Sequence, residues 1–395
     1  MSAANTAQTY GSVTKTFHWL TALLILALVP LGLIANALPY ETDAELALKA
    51  QVFSVHKTLG VLVFFVALAR IIWAVTQPKP GDLNHDRKVQ STLAAVVHWV
   101  LYISLVAVPL TGWVHHAATS GFAPIWWPFG QGLPFVPVNE NIAEGSAALH
   151  WLFSKIMIAS ILLHVAGALK HHVIDKDATL RRMWFGRADA PLVPAHRGSL
   201  AAPFAAVVIF ALATGGAAAA GLFRAHESVA GEALAAVASE WRVTEGEIGI
   251  VVTQLGSEVQ GSFTDWTAAI SFDPDVTGAA GEVTTTIGIS SLTLGSVTGQ
   301  AMGADFFDAA AFPTAVFTGT IIEDDGNYTA DGVLAIKGSE VPVRFPFDLV
   351  VDGDLAEMNG RLTLDRRDFA IGTSMADETS LGFGVDVVLR VVTER

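Results

Sequence analysis

Apolar positions follow two different patterns along this chain. Before residue 175, four windows at roughly 17–37, 52–75, 92–115 and 149–171 stay apolar long enough to cross a hydrocarbon core, which takes about 20 residues. A fifth window, "SLAAPFAAVVIFALATGGAAAAGLF" (199–223), is richer in Gly and Ala. Pro30 and Pro109 predict kinks rather than ends, since membrane helices tolerate proline better than soluble ones. Beyond residue 240 the pattern changes to a period of two. "EIGIVVTQL", "VQGSFTDWTAAISF", "EVTTTIGISSLTL", "TAVFTGTII", "YTADGVLAIKG", "VPVRFPFDLVV", "EMNGRLTLDRRDFAI" and "GFGVDVVLRVV" predict about eight strands between Gly, Asp and Asn turns. That spacing suggests a closed antiparallel barrel, a shape with room for one ligand. "ADFFDAAAFPTAVF" (304–317) interrupts the series and predicts a short helix. "RAHESVAGEALAAVASE" (224–240) joins the two parts as a short helix or a tether, which would hold the barrel near the membrane at high effective concentration.

Composition sharpens this division. The chain is 52% hydrophobic and 15% charged over 395 residues, a balance that points to membrane spans. Its net charge of −14 is unevenly spread: residues 225–395 carry 27 Asp+Glu against 8 Lys+Arg, and residues 1–224 carry 10 against 15. Neither part has the clustered basic face of a nucleic-acid binder. The absence of cysteine removes disulfides, thiolate metal sites and covalently attached c-type haem.

Loop charge sets the expected orientation. The N-terminal arm, the 76–91 loop and the 170–198 linker hold 10 Lys+Arg, while the 38–51 and 116–147 loops hold only Lys49. The N-terminus is therefore expected in the cytoplasm, and five spans would deliver the acidic C-terminal part to the periplasmic side. "IANA" (34–37) resembles a signal cleavage site, but the long apolar stretch and the single Lys before it favour a retained span.

Histidines inside the spans carry the candidate chemistry. His150 and His164 are fourteen residues apart, which on a helix places them about 40° apart in azimuth and about 21 Å apart in depth. Polar groups inside a span are costly and point to function, and neutral imidazole is a good iron ligand. His18 opens the first span at the depth of His164, and His56 lies one turn into the second at the depth of His150. Two pairs result, each able to ligate a haem iron from both sides, with the irons about 20 Å apart. His98 and His116, eighteen residues apart, are also co-facial, but a separation of about 27 Å pushes both towards the headgroups, so we read them as interfacial. His98 remains a candidate hydrogen-bond donor to a haem propionate or quinone. His115, His171 and His172 are read as snorkelling interface residues.

"FHWLTALLILALVPLG" (17–32), "VHKTLGVLVFFVALARIIW" (55–73), "PLTGWV" (109–114) and "LHWLFSKIMIASILLHVAGALKHHVIDKDATLRRM" (149–183) resemble the bacterial cytochrome b561 family over about 10–187. The resemblance implies a four-helix cytochrome with two haem b that exchanges electrons with ubiquinone, its ligands falling on His18, His56, His150 and His164. Lys57 and Arg70, near opposite ends of the second span, are candidate propionate partners beside His98.

The C-terminal part offers little catalytic chemistry, since no histidine follows His226 and the carboxylates sit in turns such as "EDDGN". "GSFTDWTAAISFDPD" (261–275), "ADFFDAAAFPTAVF" (304–317), "ADGVLAIKGSEVPVRFPFDL" (330–349) and "LTLDRRDFAIG" (362–372) resemble the YceI family over about 238–393, with Lys337 standing where relatives often have His. The resemblance implies a lipocalin-like pocket for a polyisoprenoid or quinone tail. Candidate lining residues are Phe263, Trp266, Phe272, Phe306, Phe307, Phe312 and Phe317.

The expected organisation is multi-domain. An α-helical transmembrane di-haem four-helix bundle covers 1–190, a linker and fifth span 191–224, a tether 225–237 and an all-β eight-stranded lipocalin-like barrel 238–395. The expected function is electron transfer to or from the ubiquinone/ubiquinol pool, with membrane lipid and a periplasmic redox partner as further contacts. Superoxide oxidation coupled to ubiquinone is a rival, and a lipid-binding protein whose helical half is mainly an anchor is another.

Overall fold

The structure, a computed structural model, describes residues 2–83, 86–186, 193, 199–223 and 233–395. Most of the expected 191–198 linker and the first half of the 224–240 joining segment lie outside the described residues; residues 233–240 form no regular element. The chain divides into two units, one of residues 1–37, 51–118 and 124–225, the other of 38–50, 119–123 and 226–395.

Among the described residues, six helices precede the sheet: α1 (Ser12–Ala37), α2 (Asp43–Val75), α3 (Lys88–Ala117), α4 (Glu140–Val173), the short α5 (Thr179–Met183) and α6 (Ala201–Ala219). All except α5 are long and apolar enough to cross a membrane. α1 and α3 run unbroken through Pro30 and Pro109. Asn139 caps α4 by accepting from the Ile142 amide, and Lys170, His171 and His172 occupy the last turn, where the helix dipole favours cations. Small residues sit where helices pack: Ala35, Ala67, Ser104 and Ala206 have no exposed surface. Large apolar side chains such as Leu23, Ile72 and Leu162 face outward instead. α6 joins the bundle through Phe210 and Ala206, which cluster with Val100 of α3 and Phe153 and Ile156 of α4.

The second unit contains one antiparallel sheet in the order β3-β4-β6-β7-β8-β9-β10-β1-β2-β5. The strands are β1 (Arg242–Gln254), β2 (Ser257–Phe263), β3 (Trp266–Phe272), β4 (Gly278–Gly288), β5 (Leu292–Thr293), β6 (Thr314–Asp324), β7 (Asn327–Ile336), β8 (Ser339–Asp352), β9 (Leu355–Asp365) and β10 (Leu381–Glu394). Ten strands appear where eight apolar segments were expected, because two segments bend. Thr264 and Asp265 separate β2 from β3, and a 3-10 turn at Ile289–Ser291 separates β4 from β5. The sheet curls so that its β3 edge meets the chain entering β1, while β3 and β5 end the ladder. The Glu240 and Trp241 amides, just before β1, both donate to the Ile270 carbonyl of β3 at 3.1 and 3.2 Å, and the Ile270 amide donates to Ser239 Oγ.

The helix expected within 304–317 is not there. The short helix α7 (Thr298–Ala301) lies before it, and residues 304–307 form hydrogen-bonded turns in which the Phe306 and Asp308 amides return to the Gly303 carbonyl.

Candidate functional site

The helical unit brings the predicted histidines together in pairs. His18 of α1 and His164 of α4 have ring centroids 6.2 Å apart, and His56 of α2 and His150 of α4 have centroids 6.4 Å apart. Two metal–imidazole bonds of about 2.0 Å, plus about 1.1 Å from each nitrogen to its ring centre, span about 6.2 Å. Both pairs therefore have the separation of imidazoles ligating one metal from opposite sides.

Two glycines make room for the 56/150 pair. A Cβ built on Gly32 of α1 would lie 2.8 Å from His56 Cε1, and one on Gly112 of α3 would lie 2.9 Å from His150 Nδ1. Each ring also bonds the carbonyl one turn before its glycine: His56 Nδ1 donates to Leu28 at 3.0 Å and His150 Nδ1 to Val108 at 2.8 Å. Because a carbonyl only accepts, both rings carry their proton on Nδ1 and leave Nε2 as the donor atom for a metal.

The 18/164 pair has a different neighbourhood. His98 of α3 packs edge-on against His164, with centroids 4.9 Å apart, and its Nδ1 donates to the Ala94 carbonyl at 2.6 Å. α3 thus brings His98 against this pair, although the residue is also exposed at the surface of the unit. Arg70 is close enough to act electrostatically on His18, His98 and His164, and its guanidinium lies 5.5 Å over the Tyr102 ring. Lys57 is buried and acts likewise on His56 and His116. The two cations thus serve different pairs.

His171 is better anchored than a snorkelling residue. Its Nδ1 lies 2.7 Å from Asp177 Oδ2 and 3.2 Å from Asp175 Oδ2. The Asp175 carboxylate also takes Lys170 at 2.6 Å and Arg87 at 3.0 Å. The Lys170 hydrogen bond first, and Arg87 next, hold this carboxyl below the ordinary carboxylate range. Although the His171, Asp175 and Asp177 atoms lie close enough together for a metal, two cations already occupy the carboxylate, and the cluster is an ion-pair network. His115 is likewise fixed, its Nδ1 donating to the Ala143 carbonyl at 2.8 Å. Arg182, counted from sequence only as a positive loop charge, is buried and donates to the Gln8 and Gly81 carbonyls, tying α5 to two other loops. Trp19 Nε1 adds a bond to the Met183 carbonyl at 2.9 Å.

In the second unit, the curled sheet encloses a cavity of about 280 Å³. Phe263, Trp266, Phe272, Phe306, Phe307 and Phe317 line it. Phe312 does not. A turn bonds its amide to the Asp308 carbonyl and leaves the ring 36% exposed, over Gly338. Lys337, the departure from the family pattern, donates to the Asp305 and Ala370 carbonyls at 2.9 and 3.1 Å and pins two loops together. Sequence reasoning missed five polar lining residues, Thr285, Gln300, Thr393, Gln254 and Arg366. The Arg366 side chain is 3% exposed, and all five of its N–H groups go to carbonyls: Gly382, Ile371, Gly372, Met375 and Leu381.

Comparison with known proteins follows the same division. Residues 9–186 match the family model described as prokaryotic cytochrome b561, and residues 240–393 match that of the YceI-like domain. Cytochrome b561 homolog 2 of Escherichia coli (strain K12) is 31% identical over 184 residues, 46% of this chain and 95% of the relative. The probable superoxide oxidase CybB of Yersinia pestis is 26% identical over 175 residues, covering 44% and 94% respectively. Among solved structures, Burkholderia cenocepacia BcnA shares 28% identity, with a TM-score of 0.36, over 37% of this chain and 95% of its own. The Campylobacter jejuni YceI protein shares 23%, with a TM-score of 0.31, over 34% and 84%. The chain therefore belongs to the cytochrome b561 family of prokaryotic membrane cytochromes and continues into a YceI-like domain.

Proposed function

We propose that this protein is a two-haem membrane cytochrome that exchanges electrons with the ubiquinone pool and carries a barrel for a polyisoprenoid or quinone on the periplasmic side of the inner membrane. Family membership implies haem b, and the observation that carries its number is the pair of centroid separations, 6.2 and 6.4 Å, which fit that group twice. Haem b supplies reversible one-electron transfer when bound. His18 and His164 would hold one, His56 and His150 the other. Leu28 and Val108 orient two of these rings through Nδ1, and Gly32 and Gly112 admit them. Arg70 and Lys57 would compensate propionate charge near their respective pairs, and His98 would donate to a propionate or a quinone oxygen beside His164. The surrounding apolar helices keep water away. Anaerobic mixing of purified protein with a short-chain ubiquinol tests this reading: rapid appearance of the reduced b-haem spectrum is expected, and an unchanged spectrum would refute quinone exchange.

A second reading rests on the similarity to the probable superoxide oxidase. Two superoxide anions would each give up one electron and leave as O2, and the two electrons with two protons would convert ubiquinone to ubiquinol. Generating superoxide beside protein and ubiquinone should then yield ubiquinol in place of peroxide; a peroxide yield unaffected by the protein removes this reading.

A further inference from the structure

The cavity of the YceI-like domain is lined almost wholly by hydrocarbon, and its polar exceptions are specific. Along β1, alternation turns Ile248, Ile250 and Val252 inward, and each is buried. The next inward position is Gln254. It is 4% exposed, lines the cavity, and its Oε1 has no hydrogen-bond partner. A buried amide oxygen left unpaired is unfavourable, and each such group in a folded protein calls for an explanation. Leu would extend the apolar stripe here without that penalty.

Arg366 stands at the same end of the barrel. Gln254 pairs across the ladder with Leu381, whose carbonyl accepts from Arg366. The guanidinium is the charged group in the lining, yet carbonyls take all five of its donors. It therefore offers nothing to a phosphate or carboxylate head. Thr393 Oγ1 is also committed, to the Ala356 carbonyl, while Thr285 and Gln300 are only half-buried. What remains deep in the wall is a neutral amide, able to accept through Oε1 and donate through Nε2.

We propose that the cavity takes a neutral amphiphile, its hydrocarbon chain among the apolar side chains and its hydroxyl or carbonyl head hydrogen-bonded to Gln254. Phosphorylated isoprenoids are disfavoured, because among the described lining residues no cation is left to replace their hydration. The inference rests on the isoprenoid reading of the barrel and adds to it the position and chemistry of the head group. Gln254 is a specificity-determining residue in this scheme, and a quinol, a quinone or a free prenol would each satisfy it.

Native mass spectrometry of the full-length protein in detergent tests the proposal with three probes of equal chain length: farnesol, farnesyl phosphate and the hydrocarbon farnesene. Wild-type protein should bind farnesol about tenfold more tightly than either of the others, the scale of one hydrogen bond in a desolvated site. Gln254→Met, close in volume and apolar, should lower farnesol affinity to the farnesene level while leaving farnesene unchanged, which also confirms that the barrel has folded. Retention of the farnesol preference in Gln254→Met, or tighter binding of farnesyl phosphate than farnesol, would overturn the head-group assignment alone. No binding of any probe would instead overturn the isoprenoid reading on which it rests.

Discussion

The two histidine pairs share a helix and a separation, yet they are held in different ways. His56 and His150 are each bonded through Nδ1 to a backbone carbonyl and seated against a glycine, so proton position and ring orientation are both fixed. Among the described residues, no such carbonyl bond orients His18 or His164; a third histidine, His98, and Arg70 surround that pair instead. A hydrogen bond to the far nitrogen of a ligating imidazole raises its basicity and favours the oxidised metal. The contrast teaches that ligand identity alone does not make two sites equal, since the backbone behind the ring also sets its electronic character.

The largest expected effect comes from filling the glycine seats. Gly32→Leu or Gly112→Leu places side-chain atoms where a Cβ alone would already lie within 3.0 Å of an imidazole. Either should remove the 56/150 haem and spare the other, halving the haem content of purified protein; full content would show that the glycines do not support that pair. Next in size is a difference in potential. Reductive titration should show two steps, with the lower one missing in His56→Ala, separated by on the order of tens of millivolts from the Nδ1 bonds. Loss of the higher step in that variant would reverse the argument. Smaller still, His98→Phe should shift the spectrum or potential of the 18/164 haem only, because His98 packs on His164 and not on His56 or His150. Equal shifts at both sites would deny that specificity.

The smallest effect is one of pH. Lys170 and Arg87 depress the Asp175 carboxyl at the end of α4 nearer His164. A carboxyl with a lowered folded-state pKa contributes stability above its unfolded value, near pH 4, and loses it as pH falls through the lowered value. Acidification below about pH 4 should therefore disturb the 18/164 spectrum before that of 56/150. Asp175→Asn should abolish the difference; a wild-type spectrum that fails at both sites together would rule it out.

How much of this is legible in the sequence depends on whether the determining contact is periodic. His150 and His164 share a face by helical arithmetic, and depth along the spans then selects His18 and His56 as partners, the same residues whose rings the structure pairs. The membrane-length helices follow from unbroken apolar windows, and the strands follow from a period of two. Contacts between elements are not periodic. Gly32 and Gly112 look like ordinary membrane glycines until two imidazoles are placed against them. The spacing of His98 to His116 is silent on its contact with His164. Arg182 counts as loop charge in one dimension and becomes a buried clamp in three. In the barrel, alternation marks Gln254 as inward but is silent on whether anything bonds its amide. Phe312 carries the family motif and still misses the cavity, because a turn from Asp308 swings it out.

The central claim, two haem sites each closed by a pair of imidazoles, is tested most directly by pyridine haemochrome stoichiometry on wild-type, His18→Ala and His56→Ala protein. The account predicts two b haems per wild-type chain and one in each variant, with different spectra remaining in the two variants. A single haem in the wild type, or a variant that keeps both, would contradict it.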